Sequence, residues 1–480
     1  MSSSKRILLL ISIAAGLGFA GCQTTRTALP ASDLAIPETY AGAYDTVSVA
    51  DTKWEHFFAD EELNSLIASA LENNIDLRIA MQRIEMSRAG ILAARGAMLP
   101  TLSADVSGGG RKYGDYTMDG VGNWDTNFSP NINEKQSIPT GFLPDYYLGV
   151  RSSWEVDLWG KLRVLRQAAQ DRFIASEHGR NLIITSLIAE IAGEYYHLLA
   201  LDSELAIMRY NIDLQTKATE TVLNLKQAGR ANELAVNQFT AQLLNSKGAL
   251  ASISQEIIAS ENRLNMLIGR FPQPIPRGEP LRLRDFPDSI STGIPLQMLR
   301  KRPDILQAQS ELLASHAELH AADLAFLPSL YISADLGMQS FKSGLIFSPG
   351  SLAYGILGGL SAPLLNRKGL KAGRQIREAE MKEALLRYNK LVLSGFNEIA
   401  TDLKRLQKLE EMYDLKQEEV SELRQAVAVS NELFIVGAAT YLEVVTAQNG
   451  VVSAEVDLIG IRKQQFLTLL QLYRSLGGGW

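Results

Sequence analysis

The sequence predicts a mixed, mainly α fold that couples a transmembrane β-barrel to very long packed helices. Three observations predict it. Two long proline-free tracts carry apolar residues at spacings of three and four, four short stretches alternate apolar with polar residues, and the same order of elements occurs twice along the chain.

The helices come first. After Pro144 the next proline is Pro272, and after Pro363 there is none. Proline inside a helix costs about 3 kcal/mol, so such tracts favour unbroken helices. Ile188, Ile191, Tyr195, Leu198, Leu201, Leu205, Met208 and Ile212 form one apolar seam, and Tyr388, Val392, Phe396, Ile399, Leu403 and Leu406 form another. Seams of this kind belong to helices packed in coiled-coil fashion. Each tract has one glycine-centred break, at Gly229-Arg230-Ala231-Asn232 and at Gly437-Ala438-Ala439-Thr440. A continuous helix over 161–228 would be about 100 Å long at 1.5 Å per residue.

The strands alternate cleanly. Leu102, Ala104 and Val106 lie between Ser103, Asp105 and Ser107. Leu148, Val150, Trp154, Val156 and Leu158 interleave with Gly149, Arg151, Ser153, Glu155 and Asp157. Leu330, Ile332, Ala334, Leu336 and Met338 interleave with Tyr331, Ser333, Asp335, Gly337 and Gln339. In 352–362 Leu352, Tyr354, Ile356 and Leu360 share one side, but Leu357 falls on the other. Strands of about ten residues with one apolar and one polar face suit a membrane barrel. A soluble half-buried sheet shows the same alternation; the secretion signal and the Trp154/Trp159 pair near a strand end favour the barrel.

The repeat has two offsets. Asn-Ile-Asp-Leu at 74–77 matches Arg-Pro-Asp-Ile at 302–305, and Leu99-Pro100 matches Leu327-Pro328, 228 positions on. Gly229 with Gly437, Leu234 with Leu442 and Gly269 with Gly477 are 208 apart. The difference falls in a Gly-, Asn-, Asp- and Pro-rich loop over 107–144 that the second half has in shorter form. Each half thus reads as helix, strand, loop, strand, long helix, break, helix. Asp76 and Asp304 are expected to cap matching helix starts.

The beginning of the chain reads as a secretion signal. Lys5 and Arg6 precede an apolar run from Ile7 to Leu17, about half the length of a spanning helix. Phe-Ala-Gly-Cys at 19–22 resembles a bacterial lipobox, which implies cleavage before Cys22 and lipid on its thiol; Gln23 after it implies the outer membrane. No other segment reads as a helical span. The expected organisation is a signal peptide at 1–21, a lipidated tether at 22–53, a first repeat at 54–270 (strands within about 100–158), a linker at 271–295, and a second repeat at 296–480 (strands within about 328–364).

Four strands cannot close a barrel. In lipid every backbone N–H and C=O must be paired, so an open sheet is excluded. Closed barrels need about eight strands or more. Two copies would supply eight strands, three twelve and four sixteen, so self-association is required while the copy number stays open.

Trp54, Phe57 and Leu63, Trp-Glu-Val-Asp-Leu-Trp-Gly-Lys at 154–161, Arg-Pro-Asp-Ile at 302–305, Ala-Phe-Leu-Pro-Ser-Leu at 325–330, Gly-Ala-Ala-Thr-Tyr-Leu-Glu-Val-Val-Thr-Ala-Gln at 437–448 and the final Gly-Gly-Gly-Trp together resemble the TolC-like outer-membrane efflux factor family, in its lipidated NodT/OprM-type branch. The resemblance implies a homotrimer with a twelve-stranded barrel, a long α-helical barrel in the periplasm and a mixed belt including 271–295 and the C-terminal tail. It implies an outer-membrane channel that passively conducts small molecules brought by an inner-membrane pump and a periplasmic adaptor. Gly229, Arg230, Ala231, Asn232, Gly437, Ala438 and Ala439 would form the periplasmic tip where the adaptor docks. Glu233, Leu234, Thr440, Tyr441 and Leu442 would line the tunnel gate. Many relatives carry aspartate where Thr440 stands, so closure is expected to rely on Tyr441 and Leu442, with Glu443 or Glu233 as the nearest acids. Competing readings are the exit duct of a type I peptide or protein secretion system, a lipid-anchored coiled-coil scaffold without a pore, and a periplasmic lipoprotein enzyme.

Other chemistry is sparse. A net charge of −6 offers no basic footprint for nucleic acid, and one cysteine excludes an internal disulfide. Gly108-Gly109-Gly110 is expected to lie in an extracellular loop as a flexible segment, without the strand–helix setting of a phosphate loop. His316, Glu318 and His320 are in the wrong order for a zinc-protease helix and read as a solvated face. No nucleophile–base pair, cofactor or metal is expected.

Overall fold

In the computed structural model the described residues are 34–35, 37–40, 52–58, 60–281, 286, 293, 295–363, 365 and 367–480. The signal peptide, Cys22 and most of the tether lie outside them. The elements are α1 (Trp54–Phe58), α2 (Glu61–Asn73), α3 (Ile75–Gly96), β1 (Thr101–Arg111), α4 (Met118–Thr126), β2 (Leu143–Val156), α5 (Lys161–Gln227), α6 (Glu233–Ile268), α7 (Pro295–Lys301), α8 (Pro303–Leu324), β3 (Ser329–Ser340), β4 (Leu352–Ser361), α9 (Arg367–Ile435) and α10 (Tyr441–Ser475). They fall into two compact units. One holds 87–173 and 311–384; the other holds 32–86, 174–310 and 385–480.

The first unit contains the sheet, an antiparallel meander in the order β1-β2-β3-β4. Its register puts Ala104 opposite Val150, Val150 opposite Leu336, and Leu336 opposite Tyr354. Residues opposite one another in an antiparallel ladder share a face. The apolar sets of all four strands therefore combine into one face without a single charged side chain. Asp105, Arg151, Glu155 and Asp335 occupy the other. Leu357, opposite Ser333, lies on the polar face as the sequence indicated. That face is also kept shallow. Gly149 is paired with Gly337, and Tyr147 is buried across both with Arg151 4.5 Å from its ring centroid.

Beside the strand ends, Trp154 Nε1 donates to the Met98 carbonyl at 3.0 Å and Trp159 Nε1 to that of Pro328 at 2.7 Å. The face of α8 read as solvated is instead covered. Glu318 is 8% exposed, and its carboxylate takes Arg172 at 2.5 Å and Arg377 at 2.9 Å. Among the described residues no group of three or more potential ligands gathers for a metal. Gly108-Gly109-Gly110 is not in the loop but is paired within β1, opposite Tyr146, Asp145 and Pro144; the loop after it holds a short helix, α4, which the sequence did not signal because Gly120 and Gly122 lie inside it.

In the second unit α5 supplies the centre of the main core. Leu187, Ile188, Ile191, Tyr195, Leu198 and Leu201 pack with Leu63, Ile67, Leu264, Ile268, Phe466 and Leu470. By length and composition one window of α5 is apolar enough to cross a membrane, and half of it is buried inside the protein; the seam residues account for that apolarity as core.

A second core joins Met298, Ile305, Val392, Ile399, Leu406 and Leu472. Arg302 beside it is 7% exposed. Its guanidinium forks onto Asp304 at 3.1 and 2.7 Å and reaches Glu398 at 2.9 Å and the Ser475 carbonyl at 3.2 Å. Asp304 is thus an ion-pair partner, although it also accepts from the Ile305 N–H at 2.9 Å. At the matching start of α3 the cap is Asn74, which accepts from the Leu77 N–H at 2.9 Å. Asp76 sits too late in the chain for that role.

Asp402 lines an open polar cavity of about 470 Å³ with Glu398, Thr401, Gln471 and Arg474. It is 8% exposed, and burial pushes its carboxyl up to about 6. A raised folded-state value penalises the charged form, so stability present below about pH 4 is lost as pH rises through 6. Asp402→Asn is expected to be more stable than the parent by about 1–2 kcal/mol at pH 8, a figure that allows for solvent screening in the open cavity. The difference should vanish near pH 4. Thermal midpoints in detergent at both pH values measure it; an equal gap at both would refute the assignment.

Candidate functional site: the paired glycine turns

The two breaks place the residues of interest on two tight helix–helix turns of the second unit. At the first, Gly229 has φ +67°. Its N–H donates to the Lys226 carbonyl at 2.9 Å, and that of Arg230 to Leu225 at 2.8 Å. At the second, Gly437 has φ +80°, with donation from its N–H to Phe434 at 3.1 Å and from Ala438 to Leu433 at 2.8 Å. Both are Schellman ends, which need a left-handed residue that only glycine supplies cheaply.

Gly269 and Gly477 end α6 and the second half's last helix in the same way, with φ +83° and +92°. A side chain on Gly269 would meet the Asn73 carbonyl oxygen at 2.5 Å, and one on Gly477 the Lys301 backbone at 2.6 Å. Asn73 and Lys301 are themselves 228 positions apart. The repeat read from the sequence therefore extends to which backbone each glycine touches.

The helices restart differently. Asn232 caps α6 by accepting from the Ala235 N–H at 2.9 Å, and Glu233 pairs with Lys226 across the turn. At α10 Glu443 accepts from the Thr440 N–H at 2.5 Å and from its hydroxyl at 2.9 Å. These bonds hold the Glu443 carboxyl below the ordinary carboxylate range. Both acids nominated for a gate are therefore engaged in shaping their own turns.

A small core ties the turns together: Val222, Ala235 and Phe239 are buried, with Ala231, Val236, Phe434, Tyr441 and Val445 packed on them. Tyr441 belongs to this core. Leu234 and Leu442, the pair matched by the repeat, stay exposed at 56% and 58%. Gly229, Arg230, Asn232, Gly437, Ala438 and Thr440 are exposed as well, while Ala231 and Ala439 are half-buried. The core residues Val222, Phe239 and Phe434 escaped the sequence reading; Ala235 and Phe239, four apart at the start of α6, were the available signal.

A sheet with one uncharged face, two very long helices and two glycine turns tied by a shared core are the parts of a barrel-and-tunnel channel protein. Comparison with known proteins gives the same class and names it. Residues 66–270 and 294–478 match the outer membrane efflux protein family, and the chain belongs to that family. It is 26% identical to the solvent efflux pump outer membrane protein SrpC of Pseudomonas putida, over 92% of this chain and 91% of that one. It is 23% identical to the probable outer membrane lipoprotein SilC of Salmonella typhimurium, over 98% and 99%. The open-state MtrE outer membrane channel of Neisseria gonorrhoeae superposes with a TM-score of 0.79 at 25% identity, covering 94% of this chain and 98% of that one. The protein is an outer-membrane efflux channel component; its family and fold are those of channel proteins, and members of the family act as trimers within tripartite systems.

Proposed function

We propose that three copies of this chain close a twelve-stranded barrel and a helical tunnel that passively conducts small molecules, with no catalysis of its own. The observation that carries this reading is the sheet. One face is free of charge, as lipid requires, and β1 and β4 are each paired on one side only among the described residues. Edges of that kind in a bilayer must be completed by other copies. Cys22 would carry lipid, a reading supported by its lipobox and by the lipoprotein relative. A periplasmic adaptor would dock on Gly229 to Asn232 and Gly437 to Ala439, and an inner-membrane pump would supply cargo. The solvent-pump relative supports small apolar compounds as that cargo.

In this reading Leu234 and Leu442, six leucines in a trimer, obstruct the tunnel by packing, because Glu233 and Glu443 are held in their turns. Purified protein in planar bilayers should give channel steps, and Leu234→Ser with Leu442→Ser should raise the resting conductance several-fold. Absence of steps from both proteins would overturn the channel reading; steps of unchanged size would remove the two leucines from the gate.

A further inference from the structure

Helix α4, in the loop between β1 and β2, is nine residues long and contains no buried residue. Helices this short are marginal in water without tertiary packing, and Gly120 and Gly122 weaken this one further. Its apolar side is bare: Met118, Val121, Trp124 and Phe128 are 88%, 56%, 59% and 70% exposed. Its surroundings are nonetheless fixed. The Thr117 hydroxyl accepts from the Gly120 N–H at 3.1 Å. The Asn127 side chain bonds the Ile138 carbonyl and N–H at 2.9 and 2.8 Å. Lys342, from the loop between β3 and β4, reaches the Glu134 carbonyl at 2.8 Å. The loop is built to hold an apolar stripe that nothing among the described residues covers.

We propose that α4 docks on a neighbouring copy of this chain, against the loop between that copy's β3 and β4, as a strap across the subunit boundary. This rests on the trimer proposed above. Barrel closure sets β1 of one copy beside β4 of the next, and α4 follows directly from β1. The apolar surface that this brings next to α4 is Phe347 in the loop before β4 of the next copy, with Leu352 at the start of that β4, 76% and 56% exposed here. Lipid is the poorer occupant, because Asp119 and Asp125 flank the stripe within α4 and an anionic membrane surface would repel them.

The test is cysteine crosslinking of the full-length protein in outer-membrane vesicles. Trp124→Cys combined with Phe347→Cys should give disulfide-linked dimers and trimers on a non-reducing gel, with neither single variant doing so. Val121→Asp with Trp124→Asp should lower the temperature at which the SDS-resistant trimer dissociates by several degrees. A trimer on native gels that shows neither effect, or a crosslink confined within one chain, would overturn the strap and leave the channel reading intact. A fluorophore attached to the thiol of the Trp124→Cys variant reports on the alternative occupant; its quenching by spin-labelled lipid would overturn the strap in favour of membrane. A protein that forms no trimer would overturn both.

Discussion

Gly149→Ala is expected to abolish most of the SDS-resistant trimer while Gly109→Ala leaves it at parental yield. A methyl group on Gly149 would stand 2.5 Å from the Gly337 Cα, 2.5 Å from the Leu336 carbonyl oxygen and 2.7 Å from the Tyr147 hydroxyl. Two of those contacts are backbone of the paired strand, so relief requires the β2–β3 ladder itself to move. Overpacking costs about 1–3 kcal/mol in an ordinary core. In the proposed ring the displaced ladder must also meet neighbouring copies in register, and a slip there would disturb every boundary. Gly109 lies in the adjoining strand with nothing within 4 Å of the same methyl group, which makes it a control for alanine in the sheet. Semi-denaturing gels of outer-membrane fractions read both variants. A full yield of trimer from Gly149→Ala would mean that the glycine pair is not a close approach in the assembled barrel.

Arg302→Ala is expected to cost about 3–5 kcal/mol, because truncation strands the Asp304 and Glu398 carboxylates without their shared cation. The site is shaped for a guanidinium. Gly395 leaves its space, since a side chain there would come within 2.9 Å of the Arg302 Nη1, and the fork onto Asp304 uses two parallel bonds. Arg302→Lys keeps the charge and loses the fork, so it should fall between the parent and alanine. Thermal unfolding of purified protein in detergent ranks the three. Alanine within about 1 kcal/mol of the parent, the worth of an exposed pair, would show that Arg302 does not hold α8 to α9 and the end of α10.

Much of this architecture was legible because it rests on periodicity and backbone conformation, which a single chain displays. The strand alternation puts Leu102, Val150, Leu336 and Tyr354 on one face, and the misfit of Leu357 is reproduced; Tyr147, buried on the polar face, was not signalled. Gly229 and Gly437 could be read as helix reversals because a left-handed residue is needed there and few others supply it. What was not legible depends on partners distant in sequence. Asp304 looks like a cap until Arg302 is seen to be clamped by Glu398, 96 residues away. Glu318 looks solvated until Arg172 and Arg377 close over it. The packing of Tyr441 on Val222, Ala235 and Phe239 likewise joins residues far apart in the chain. Helix α4 is invisible to propensity, since two of its nine residues are glycine.

The equivalence of the two halves has a consequence for symmetry. A ring of three subunits would present six nearly alike hairpin ends, so its effective order on the glycine turns is six. The insertion that contains α4 exists in only one half, which reduces the order to three wherever the strand loops gather. Within the hairpins the degeneracy is also incomplete: one turn is braced by the Lys226–Glu233 pair and the other by the Thr440–Glu443 cap. Anything that contacts the six ends equally must tolerate two alternating kinds of surface.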